Sequence, residues 1–215
     1  MKYFTLVALF FVGMNAQAGG SVVGNGGGFG LCQNQKYYCY DYLFTLNHPY
    51  GPEMEVKSVN ESMLAILNTL RKYKEPYAED LAIFIKELFT SGGMKYRWLN
   101  RPKPPVIYSR LVDQLLPPIC TKVQAIHYFS PLEKAAPARY YVDFDLLKRI
   151  DVQPGGSSQI SYLLMHEWLW NYFEASSKGL ELAQFNRLLH SKIFHTMNAE
   201  AYYKIRPNLK ERLTY

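Results

Sequence analysis

An apolar run from Phe4 to Met14, with Lys2 before it and Ala16-Gln17-Ala18 after it, decides which residues of this chain fold and in what surroundings. A short basic start, an apolar core and a small-x-small end, in that order, make a cleavable export signal. The run is 11 residues long, and a membrane helix needs roughly 20 apolar residues, so a transmembrane anchor is not expected. Cleavage is expected after Ala18. No Cys stands directly after that point, which argues against a lipid-anchored form. Export to the periplasm or the exterior places the rest of the chain in an oxidising compartment.

Residues 19–30 hold seven Gly and read as a flexible leader. They lack the Gly-Lys-Ser/Thr ending of a phosphate loop. Residues 31–215 are expected to form one domain, a length that can bury a substantial core. Removing residues 1–18 takes away one charge, that of Lys2, and lowers the formal net charge from +6 to +5. Lys and Arg occur without any run of five, so a nucleic-acid surface is excluded as a class. The 18 Tyr and 12 Phe favour packed rings with wet hydroxyls, and they leave peptide or cell-wall glycan as partners open.

Three Cys remain after export: Cys32, Cys39 and Cys120. Cys32 and Cys39 enclose a short loop and form the disulfide candidate. Bridges from Cys32 or from Cys39 to Cys120 stay open, and either would close a longer loop. The spacing is not that of a zinc knuckle.

Alternating aromatics from Tyr37 to Leu46 read as a strand. Met63, Ile66, Leu67 and Leu70 make a helical stripe that Ser58 or Asn60 can cap. A second stripe covers Tyr77 to Leu88. Strands are expected at 96–99, 123–129 and 139–146, with a short helix over 107–116 between them. Ser157 or Ser158 opens a long helix over 159–175, and further helices fall near 182–194 and 199–205. The class this order implies is α+β, mainly helical, with a small antiparallel sheet.

The long helix contains Met165-His166-Glu167-Trp168-Leu169-Trp170. Here the chain resembles the zincin metallopeptidases, whose active helix carries His-Glu-x-x-His. Two His four residues apart meet on one helix face and chelate zinc, and the Glu takes a proton from the zinc-bound water. The resemblance covers the region from the Tyr140 strand to Phe194, so it implies a zincin-like C-terminal half. His166 matches the first ligand and Glu167 the catalytic base. Trp170 stands where the second His belongs, and an indole nitrogen is a donor that cannot ligate. His190 and His195 are the remaining candidate ligands, with Glu174 as a further oxygen donor. Zinc is the cofactor this set would take. The bland alternative is a core His paired with a carboxylate, in a degenerate zincin-like domain without catalysis. The chain also resembles a set of exported proteins of predatory bacteria, through Gly24-Asn25-Gly26-Gly27-Gly28 and His166-Glu167; that likeness implies no activity.

Two other classes fit parts of the sequence. Asp143 and Asp145, on one strand face with Glu167 near, would suit glycoside hydrolysis. A non-catalytic envelope module binding peptide or glycan needs no missing ligand. There is no Gly-x-Ser-x-Gly nucleophile turn.

Overall fold

Two strands, three helices, four strands and two helices follow one another along the described chain, and the longest helix, the last, packs against several of the others. The computed structural model describes residues 28–45, 58–73, 75–102, 116–129 and 136–173, together with 185, 186 and 190. The strands are β1 (Gly28–Cys32), β2 (Tyr37–Cys39), β3 (Tyr96–Asn100), β4 (Cys120–Gln124), β5 (Ile126–Phe129) and β6 (Ala138–Val142). The helices are α1 (Tyr40–Thr45), α2 (Val59–Lys72), α3 (Ala78–Lys86), α4 (Phe144–Asp151) and α5 (Gly156–Tyr172). Mixed α+β is therefore the observed class. The sequence led to one small antiparallel sheet, whereas two three-stranded sheets form. The first is antiparallel, in the order β2-β1-β4. The second has the order β3-β6-β5, with β3 parallel to β6 and β5 antiparallel to it.

β1 overturns part of the expected leader. Gly28 and Gly30 lie in the central strand of the first sheet, and Phe29 is fully buried in the core. A Cβ at Gly28 would collide with the ring of Tyr40, so glycine there permits a close approach rather than a loose chain. β2 is an edge strand, and two glutamine amides cover it. Gln153 accepts from the Tyr37 N–H and donates to the Tyr37 carbonyl, while Gln159 accepts from the Cys39 N–H. These side chains supply the partners that an open edge lacks and tie the sheet to α5.

The bridge across this sheet joins Cys32 to Cys120. They are directly opposed residues of β1 and β4. The favoured candidate, Cys32 with Cys39, is corrected: Cys39 is a free, buried thiol. Sheet pairing explains the outcome. Cys32 and Cys39 lie on neighbouring strands but not opposite one another, since the Cα partner of Cys39 is Phe29.

Two expected strands stop early and turn into helices. After Cys39 the chain buries Tyr40, Asp41 and Tyr42 in succession, which a two-sided strand with one wet face would not do. Tyr38 stacks on Tyr42 across this start of α1. After Val142 the carboxylate of Asp143 accepts from the Leu146 N–H and caps α4. Leu146, Leu147 and Ile150 are the buried face of that helix. Asp143 and Asp145 therefore share no strand face: the first caps the helix and the second lies in its first turn.

The helical stripes of α2 and α3 hold. Ser58 accepts from the Glu61 N–H and is the cap of α2. Replacing Ser58 with Ala is expected to lower global stability by about 1 kcal/mol, read as a lower urea midpoint at unchanged slope. α5 starts differently from expectation. Gly155, with φ of 75°, stands at its N-cap, a left-handed conformation that suits glycine, while Ser157 bonds Asp151 instead. The expected helix at 199–205 and all but Leu116 of that at 107–116 lie outside the described residues, and of 182–194 three residues are described. No helix among the described residues is long and apolar enough to cross a membrane.

Candidate functional site

α5 is apolar on almost every side, and such a helix must be enclosed by its neighbours. It packs against α1, α2, α4 and β2, and Leu163, Leu164, Met165, Trp168 and Leu169 are fully buried. Within this setting each polar side chain must find a partner, because an unmet buried polar group costs roughly 1–3 kcal/mol. The polar residues of α5 sort into three groups.

The first holds His166. Its Nδ1 lies 2.9 Å and 3.1 Å from the two carboxylate oxygens of Asp41. Asp41, from α1, is almost fully buried and also accepts from the Asn186 side-chain amide at 2.7 Å. The same amide donates to the Tyr162 carbonyl at 2.8 Å. Trp170, one turn on, lays its ring nearly parallel to the imidazole at 5.6 Å. Burial draws the His166 pKa down from its usual 6.5, but the Asp41 charge and hydrogen bond, with the Glu167 charge, outweigh it and raise it to about 9. His166 is thus protonated at neutral pH.

The second group holds His190, which sits against Ser161 and not beside His166. Positions 161 and 166 point about 140° apart around the helix. The Asn186 carbonyl can only accept, so Nδ1 of His190 donates to it at 2.9 Å. Nε2 is then left to accept the Ser161 hydroxyl at 2.9 Å. Ser161 in turn meets Ser62 of α2 at 2.6 Å. Tyr162 stacks on the imidazole at 3.7 Å. Both ring nitrogens of His190 are committed. The chain Ser62–Ser161–His190 resembles a nucleophile with its base in composition, yet both Ser are fully enclosed.

The third group faces the second sheet. Asp80 of α3 accepts from Lys95, from the Tyr96 hydroxyl and, at 2.9 Å, from the Trp168 indole. Asn171 accepts from the Tyr128 hydroxyl. Trp98, Tyr140 and Tyr128 form one row across β3, β6 and β5 by register, with adjacent rings at 4.5 Å and 5.2 Å. Glu167 is 1% exposed. Burial and then its charge push the Tyr140 hydroxyl well above the usual phenol range. Burial, then Asp41, pushes the Cys39 thiol up as well, the opposite of what a nucleophile needs.

The sequence thus singled out His166 and Glu167, adjacent in the chain: His166 meets Asp41, and Glu167 is buried with its charge acting on both His166 and Tyr140. His190 is drawn to a third place, and His195 and Glu174 lie outside the described residues. Among the described residues no three His, Cys, Asp or Glu side chains converge as a metal would require. Of the candidate donors, the described pair His166 and His190 is not brought to one point. The residues that complete the His166 cluster, Asp41 and Asn186, carried no motif. A sequence signal for Asp41 exists in hindsight: an acidic residue inside the aromatic run Tyr40-Asp41-Tyr42 that is buried with it needs a cationic partner.

Compared with known protein families, characterised proteins and solved structures, the chain matches none.

Proposed function

We propose that this chain is an exported, non-catalytic domain, a degenerate zincin-like scaffold whose His-Glu helix serves cohesion of the fold rather than hydrolysis. The observation that carries this reading is the engagement of His166 by the buried Asp41 carboxylate, with Trp170 stacked where a second metal ligand would stand. An indole cannot ligate, and His190 is held at Ser161, so no second described donor joins His166. A strand leading through a helix to a buried His-Glu helix, over a small mixed sheet, supports kinship with zincins. Export is supported by the signal-like residues 1–18 and by the Cys32–Cys120 bridge, which persists in an oxidising compartment. Within the envelope or outside it, the role left to such a domain is binding, and the Tyr-rich composition suits peptide or glycan.

Elemental analysis of the purified mature protein tests this, beside intact-mass measurement of the exported form. The expected result is a mass lacking residues 1–18, zinc far below one per chain, and no cleavage of a denatured protein substrate. One zinc per chain that disappears in His166→Ala, together with peptidase activity, would replace the non-catalytic reading with the enzymatic one.

A further inference from the structure

Strand alternation gives the β3-β6-β5 sheet two faces of opposite character. The inner face carries Trp98, Tyr140 and Tyr128. The outer face carries two rows set by register: Arg97, Arg139 and Phe129 in one, and Leu99, Tyr141 and His127 in the other. Arg101 follows β3 with the same parity and lies over the Tyr141 ring at 5.5 Å.

Three features of this face are unusual. Arg97 and Arg139 are directly paired across adjacent parallel strands, so two like charges stand side by side at the spacing of neighbouring strands. Both are exposed, as is Arg101, and none of the three has a carboxylate partner among the described residues. Arg97 spends its Nε on the Gly93 carbonyl, which leaves its terminal amino groups available. Asp143, beyond the end of β6, turns its carboxylate to the α4 cap. His127 is 4% exposed, yet neither ring nitrogen has a hydrogen-bond partner. It stacks on Phe129 at 4.7 Å, and Arg101 is near enough to help burial hold its pKa low. A buried imidazole with two unmet nitrogens near Arg101, on the same sheet face as Arg97 and Arg139, gives that face the donors of an anion site.

We propose that this face binds a soluble phosphate-bearing ligand, with Arg97 and Arg139 gripping the phosphate, Arg101 and His127 closing on it, and Phe129 and Tyr141 beside the ligand's remaining part. Phosphate fits better than a single carboxylate because side-by-side guanidinium forks need more than one negative charge to offset their repulsion. A soluble ligand fits better than a membrane because none of the exposed large apolar side chains among the described residues lies on this face to enter a bilayer.

The test is titration of the full mature protein with inorganic phosphate at low salt, by calorimetry, against chloride at equal ionic strength. Saturable binding to the wild type is expected. Arg97→Ala and Arg139→Ala change exposed side chains, so both should fold, and each should weaken binding tenfold or more. His127→Phe keeps the stack on Phe129 and should weaken binding several-fold without lowering the melting temperature. Vesicles containing phosphatidic acid form the second arm, and no more retention than on neutral vesicles is expected. Absence of saturable binding, wild-type affinity in the two Arg variants, or binding to vesicles without binding to free phosphate each overturns the proposal. Unchanged affinity in His127→Phe overturns the place given to His127.

Discussion

Raising the pH from 6 to 10 is expected to remove about 3 kcal/mol of stability through His166 alone, and replacing His166 is expected to abolish that part of the pH dependence. The folded pKa of about 9 exceeds the unfolded 6.5, so the folded state binds this proton more tightly. The contribution is therefore fully present below about pH 6.5 and is lost progressively as pH climbs through 9, at about 1.4 kcal/mol for each pH unit between the two values. Other groups titrate in the same range, so the measurement is a comparison of urea unfolding for wild type and His166→Gln at several pH values. At pH 7 the variant leaves the Asp41 carboxylate enclosed with Asn186 and no cation, a change that costs about 3–5 kcal/mol in buried pairs. The gap between the two proteins should narrow above pH 9. Adding Asp41→Asn to His166→Gln should recover most of the loss, because no uncompensated charge then remains. If the two curves keep a constant separation from pH 6 to 10, the ion pair does not exist in solution.

The reach of sequence reasoning follows from which contacts are local. α2, α3 and α5 were legible because Met63, Ile66, Leu67 and Leu70, and their equivalents, recur at helical spacing over two or more turns. α1 and α4 were not. In Tyr38, Tyr40 and Tyr42, and again in Tyr140, Val142, Phe144 and Leu146, apolar residues at every second position cover a strand end and the helix that follows it. A segment of six or eight residues cannot separate the two periods by pattern alone. In α4 the discriminating residue was Asp143, whose cap precedes buried positions 146, 147 and 150. The position of His166 on a buried helix was equally legible, but its partner is 125 residues away in sequence. Nothing in a single sequence reports such a pairing. The parallel alignment of β3 with β6 was hidden for the same reason. Read without its neighbours, the His-Glu dipeptide points to chemistry; with Asp41, Asn186 and Trp170 around it, the same imidazole becomes a cation that joins α1, α5 and the 185–190 segment.

Cutting the Cys32–Cys120 bridge should have an effect of comparable size by a different route. It closes a loop of 88 residues in sequence, and the chain-entropy account assigns such a loop about 4–5 kcal/mol, acting chiefly on the unfolded state. Domains of this size often have about 5–15 kcal/mol in all, so the reduced protein should be marginal. Cys32→Ser with Cys120→Ser is expected to lower the urea midpoint sharply and to make it indifferent to reductant, while the wild type falls to the same midpoint when reduced. The remaining cysteine supplies the control. Cys39 is buried and its thiol is held in the protonated form, so the native, unreduced protein should show no thiol reactive to a water-soluble reagent and the denatured, unreduced protein one. Cys39→Ala should retain the full sensitivity to reductant. Should Cys39→Ala lose that sensitivity, or the double variant keep the wild-type midpoint, the pairing of β1 with β4 would have to be redrawn, since those two cysteines are opposed only in that register.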